Sequence, residues 1–142
     1  MIKIIILMGP DGCGKTTTKK ALERATNYKY FVLDRLTDSI VYKKLFHRRL
    51  PLDSDILKFE TKLIKIANVY LVYLTADTGI LINRIRAKGD KETFRFIAES
   101  KDLFENFYLK KTYFKHITLD TGENNIETII KQIKKFIKWV KY

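Results

Sequence analysis

Cysteine is nearly missing from this chain of 142 residues: Cys13 stands alone, so it can form no internal disulfide, zinc knuckle or redox pair. A secreted, disulfide-stapled scaffold is thereby excluded, and a reducing, cytoplasmic setting is expected. Histidine occurs only twice, and no His/Cys/carboxylate spacing suggests a structural or catalytic transition metal. Of the two prolines, only Pro51 is a strong internal breaker. Long apolar runs are missing as well. The opening run Ile4–Met8 is far shorter than a membrane span and lacks the features of a signal peptide, so no membrane partner is expected. Acidic residues are outnumbered, with 16 Asp and Glu against 28 Lys and Arg, which leaves a formal charge of +12. That balance favours anionic partners such as nucleotides, nucleic acid or acidic lipid, without choosing among them.

What is present reads as one folded unit over residues 1–142. Hydrophobic residues at 46% supply enough apolar surface for a core, and charged residues at 31% are interspersed with them. Ile2–Met8 is a nearly continuous apolar run stopped by Gly9-Pro10-Asp11-Gly12, the pattern of a strand buried on both faces. Tyr30–Leu33, Val69–Leu74 and Ile117–Leu119 are further short β-branched or aromatic runs. Helical patterns over about 15–26, 36–49, 54–67, 78–88, 91–111 and 125–140 separate these runs. The alternation implies an α/β fold with a central parallel sheet of about four strands. In the last helix Ile126, Ile129, Ile130, Ile133, Phe136, Ile137 and Val140 share one face, and Lys131, Lys134, Lys135, Lys138 and Lys141 the other. Asn124 with Glu127 suits a capping box there, and the lysines read as a solvated face.

Gly9-Pro10-Asp11-Gly12-Cys13-Gly14-Lys15-Thr16 satisfies G-x-x-x-x-G-K-[ST] at every fixed position, after one strand pattern and before a helical one. Glycines let successive backbone N–H groups curl round phosphate oxygens, and the helix start adds its positive end. Lys15 then reaches the β- and γ-phosphates, and the Thr16 hydroxyl serves Mg²⁺. Cys13, inside this loop, is either an acidified thiol or a small filler. Beyond the loop there is no Asp-x-x-Gly switch and no Asn-Lys-x-Asp base reader, which disfavours a GTPase. A small-molecule kinase remains.

The loop extended to Thr17 resembles that of the thymidylate kinases, G-x-D-G-x-G-K-T-T. Asp34-Arg35-Leu36-Thr37-Asp38-Ser39-Ile40-Val41-Tyr42 is similar to that family's Asp-Arg-Tyr block with its following serine and tyrosine. Val69–Leu74, Asp77 and the segment Ile82-Asn83-Arg84-Ile85-Arg86-Ala87-Lys88-Gly89-Asp90 resemble its later strand, acidic turn and Arg-rich lid, here around 83–92. The resemblance implies a three-layer P-loop kinase in which Gly9, Asp11, Gly12, Cys13, Gly14, Lys15, Thr16 and Thr17 hold ATP. It implies that Arg84 and Arg86 close over the phosphates, and that Asp11, Arg35, Ser39 and Tyr42 meet the acceptor. Only Thr16–Leu33 stand where family members carry several tens of residues, so the segment that encloses the base is largely missing and Met8 replaces a common glutamate. Base discrimination is therefore expected to be weak.

Phosphoryl transfer needs charge neutralisation and alignment. Asp34, at a strand end beside the loop, suits either ordering Mg²⁺ together with Thr16 or orienting an acceptor hydroxyl. Arg35 suits a clamp on the acceptor phosphate. His47, Arg48 and Arg49 suit an extension of the acceptor site or a contact to a nucleic-acid backbone, but read first as a solvated helix end, and His116 reads as an ordinary strand residue. Three functions stay open: ATP- and Mg²⁺-dependent phosphorylation of a (deoxy)nucleoside monophosphate; a kinase for a nucleic-acid 5′-hydroxyl, a nucleoside or another small metabolite; and a nucleotide-dependent nucleic-acid-binding protein without turnover. A homodimer is compatible with each.

Overall fold

A computed structural model describes residues 1–140. Lys141, counted on the basic face of the last helix, lies outside them. Four strands, β1 (Ile2–Met8), β2 (Phe31–Leu33), β3 (Ala67–Thr75) and β4 (Lys115–Asp120), pair in parallel in the order β2-β1-β3-β4. Between and after them run α1 (Lys15–Ala25), α2 (Ser39–Leu45), α3 (Asp53–Ile66), α4 (Thr78–Ala87), α5 (Phe94–Leu103), α6 (Leu109–Lys111) and α7 (Ile126–Trp139). The architecture is the expected α/β/α sandwich.

Successive side chains of a strand point to opposite faces, so the unbroken apolar run of β1 feeds two cores. Ile5 and Leu7 pack with Leu22 of α1, Leu81 and Ile85 of α4, and Ile129 and Ile133 of α7. Ile6 and Met8 pack on the other face with Ile40 and Val41 of α2, Ile56 of α3, Phe104 and Tyr108. β1 lies between β2 and β3, and the chain leaves it first to one side and then to the other. The C-terminal end of β1 thus opens into the crevice where such sheets bind ligands. Among the described residues no helix is long and apolar enough to cross a membrane.

Three helical boundaries differ from the sequence patterns. The pattern over 36–49 yields only α2. Before it, Asp38 Oδ1 accepts the Leu36 N–H at 3.0 Å, a local turn that competes with helix. After it, His47 takes a left-handed φ of 54° while the N–H groups of His47 and Arg48 return to the carbonyls of Lys44 and Lys43 at 3.2 and 2.8 Å. The pattern over 91–111 starts late, at Thr93, whose Oγ1 accepts the Phe96 N–H at 3.0 Å. It then widens into one π-helical turn, Phe104–Tyr108, before α6. The wide turn buries Phe104 and Tyr108 and sets Glu105 to accept the Tyr73 hydroxyl at 3.0 Å. Finally, the cap of α7 is Asn125, whose Oδ1 accepts the Thr128 N–H at 2.9 Å. Asn124, one residue earlier, instead donates from Nδ2 to the Asp120 carbonyl at 2.9 Å.

Glu60 of α3 is fully buried. Its Oε2 accepts from Thr37 Oγ1 at 2.5 Å and Tyr108 OH at 3.0 Å, and its Oε1 from Thr112 Oγ1 at 2.7 Å and the Tyr113 N–H at 2.8 Å. One carboxylate therefore joins the segment before α2, the π-helical turn and the approach to β4. Glu60→Ala removes the acceptor of the buried Thr37 and Tyr108 hydroxyls and of two part-buried donors, and urea unfolding should show a loss of about 2–3 kcal/mol, with Glu60→Gln falling between alanine and the native protein.

Candidate active site

Residues 9–14 link β1 to α1 and must pass close to the next strand. A Cβ on Gly9 would stand 2.1 Å from the Leu74 carbonyl oxygen and 2.7 Å from Cys13 Sγ. Gly12 holds a left-handed φ of 82°. Cys13 points inward and is fully buried, and its N–H donates to the Pro10 carbonyl at 3.2 Å. Burial pushes its thiol above the ordinary range, against a smaller downward pull from Lys15. Of the two alternatives, the filler holds.

Helix α1 starts at Lys15 with no side-chain cap and no acid in its first turn, which leaves its first N–H groups for an anion. Thr16 and Thr17 are exposed there. Lys15 Nζ rests on the Gly9 carbonyl at 2.9 Å.

The rear of the loop is braced. Arg84 donates to the Gly12 carbonyl at 3.1 Å, to Thr121 Oγ1 at 2.9 Å and to the Thr121 carbonyl at 2.8 Å. Thr121 Oγ1 donates in turn to the Cys13 carbonyl at 2.8 Å. Arg84 is thus fastened to the loop, whereas Arg86 and Lys88, one turn further on, are exposed. A cleft of about 400 Å³ opens here, lined by Gly12, Gly14, Thr17, Arg84, Lys88, Thr121, Asn124 and the apolar Ile126 and Ile129. The sequence patterns leave Thr121 unmarked and place Asn124 only as a helix cap, although Asp120-Thr121-Gly122 ends a strand at the edge where parallel sheets bind ligands.

On the other side of the loop a cavity of about 530 Å³ brings together Asp11, Arg35, Ser39 and Tyr42, the residues expected at the acceptor. Asp38, Phe46, Arg48, Glu92 and Phe96 also line it; of these the sequence suggests only Arg48 for the acceptor, and as the lesser reading. The Arg35 guanidinium lies 5.6 Å above the Tyr42 ring. Tyr42 stacks on Phe46 at 6.5 Å, and Phe46 leans on Phe96 at 6.0 Å. Tyr42, Phe46 and Phe96 together form an aromatic wall along this cavity. Burial pushes the Asp38 carboxyl and the Tyr42 hydroxyl up from their ordinary values.

Asp34 lies outside both cavities, directly after β2, with its side chain 53% exposed and 4.0 Å from Lys19 Nζ. Among the described residues no three His, Cys, Asp or Glu gather to hold a metal. Thr16 and Asp34, the residues expected at Mg²⁺, carry hard oxygen donors. That donor set fits Mg²⁺, which takes one or two protein ligands and fills its shell with phosphates and water.

No protein-family model and no curated protein matches the sequence. Solved structures do match. The YorR protein of Bacillus subtilis, in complex with phosphorylated GDP, is 26% identical with a TM-score of 0.78 over 95% of each chain. Deoxyadenosine kinase from M. mycoides, with products dCMP and a flexible dCDP bound, is 16% identical with a TM-score of 0.70 over 97% of this chain and 100% of that one. Shikimate kinase from Bacteroides thetaiotaomicron is 18% identical with a TM-score of 0.55 over 96% of this chain and 98% of that one. The chain has the fold of the P-loop kinases.

The state of Cys13 can be checked without substrate. In native protein at pH 8 its thiol should react with a disulfide reagent roughly 10²-fold more slowly than in urea, since burial both shields the sulfur and disfavours the thiolate.

Proposed function

We propose that the protein is an ATP- and Mg²⁺-dependent kinase whose acceptor is a (deoxy)nucleoside monophosphate. One observation carries this: two cavities flank a single phosphate-binding loop, one with an apolar side, the other combining Arg35 with an aromatic wall. A donor nucleotide in the first cleft lays its phosphates over the α1 N-terminus and Lys15. In the second, Arg35 suits the acceptor's own phosphate, and Tyr42, Phe46 and Phe96 suit its base. The names of the matched structures support a nucleotide on such a fold, since one holds phosphorylated GDP and another dCMP and dCDP. The similarity of the loop, the Asp34-Arg35 block and the Arg84–Lys88 segment to thymidylate kinases supports a monophosphate as acceptor.

When bound, Mg²⁺ neutralises charge on the donor phosphates; Thr16 and Asp34 are the residues that would hold it. Arg84 contributes by fixing the loop's shape, and Lys88 is an exposed cation lining the donor cleft, with Arg86 exposed on the same helix. A second acceptor class, a nucleoside or a nucleic-acid 5′-hydroxyl, is favoured by the cationic rim of Lys43, Lys44, His47 and Arg48 beside the acceptor cavity. Glu99 and Asp102 on the same rim oppose a polyanion there.

Labelled ATP incubated with deoxynucleoside monophosphates, nucleosides and a 5′-hydroxyl oligonucleotide separates these acceptors. Transfer is expected to the monophosphates; no transfer to any of them overturns the proposal. Lys15→Ala should abolish turnover while the circular dichroism spectrum stays native. Asp34→Asn should lower kcat by roughly 10²-fold, with a smaller effect on nucleotide affinity.

A further inference from the structure

Buried side-chain oxygens almost always find partners, and each exception asks for an explanation. Among the described residues, Asp38 Oδ2 and Tyr42 OH are buried with no hydrogen-bond partner in the protein. Both residues line the acceptor cavity. The remaining exception, Thr75 Oγ1, lines neither that cavity nor the donor cleft.

Asp38 is 2% exposed, and its Oδ1 is occupied by the Leu36 N–H at 3.0 Å. It joins none of the ion pairs among the described residues. Residues four apart on a helix share a face, and Asp38 and Tyr42 stand one turn apart at the start of α2. We propose that Asp38 and Tyr42 form a hydroxyl-reading pair, in which one sugar hydroxyl of the acceptor donates to Asp38 Oδ2 and accepts from Tyr42 OH.

The chemistry selects a hydroxyl over other groups. A carboxylate only accepts, whereas a phenol can donate. A ligand carbonyl pairs with the phenol alone, and a ligand amine can only donate, so it leaves the phenol proton unpaired. A hydroxyl does both at once. Position agrees with this choice. Asp38 Oδ2 and the Tyr42 hydroxyl are the buried oxygens of a cavity that Asp11 of the phosphate loop also lines, while Phe46 is 50% exposed. Phosphate against Arg35, sugar over Asp38 and Tyr42, and base along Phe46 and Phe96 follow the order of groups in a nucleotide. The inference rests on the function proposed above and names the group by which that site selects its acceptor.

The test compares deoxynucleoside 5′-monophosphates with their 2′,3′-dideoxy counterparts, using native protein, Asp38→Asn and Tyr42→Phe. A dideoxy acceptor leaves both buried oxygens unpaired, so native kcat/KM should favour the deoxy form by at least roughly 10²-fold. In each variant that preference should shrink to within about 10-fold through loss of activity on the deoxy form, with KM for ATP unchanged. Equal use of deoxy and dideoxy acceptors by native protein overturns the inference, as does a full preference kept by both variants. If Asp38→Asn does not fold, Tyr42→Phe, which removes a single oxygen, decides. Failure of native protein to phosphorylate any nucleotide removes the proposed function and this inference with it, whereas transfer without sugar discrimination removes this inference alone.

Discussion

A carboxylate taken from water into a protein interior is costly unless its lone pairs are filled, and Glu60 fills them with four donors from three separate stretches of chain. Thr37 is one of them. It lies between Arg35 and Asp38, so the residues of the acceptor cavity are set by a contact on the far side of α2 from the ligand space. Tyr108 is another, and it can reach Glu60 because the π-helical turn widens the chain there. The acceptor side of the molecule is thus organised around one anion, and the donor side around the cation of Arg84.

The two sides differ in how they restrain their functional groups. On the donor side every hydrogen bond of Arg84 and Thr121 falls on backbone or on each other, which fixes the shape of a loop whose own groups face outward. On the acceptor side the restraint is aromatic, running from Tyr73 through Phe104 and Tyr42 to Phe46 and Phe96. Ring contacts tolerate small shifts that charge-assisted hydrogen bonds do not. A rigid loop on one side and an adaptable aromatic wall on the other suit the proposed pairing of a fixed donor with a tolerant acceptor site.

The sheet and the phosphate loop were legible because their signals are local: a two-sided apolar run, then glycines, then Lys15 and Thr16. The gathering of Asp11, Arg35, Ser39 and Tyr42 was legible through motif resemblance. The aromatic wall was not, because Phe46 and Phe96 come from opposite ends of two helices and only tertiary packing joins them. The end of α2 was hidden for a different reason. Glycine is the usual mark of a left-handed helix terminus, as at Gly89, but here His47 takes that conformation. Asp38 was hidden by its position inside the helical pattern over 36–49, whereas its side chain caps nothing in α2 and lines the cavity.

The bond from Thr121 to Cys13 spans 108 positions of sequence. While the chain is being synthesised, the glycine loop emerges early, but Thr121 emerges only after β4. The loop's brace cannot close until nearly the whole polypeptide has been made and the last strand has docked. Competence to grip a phosphate is therefore acquired late in folding, and a nascent or C-terminally shortened chain carries the motif without the shape that makes it work.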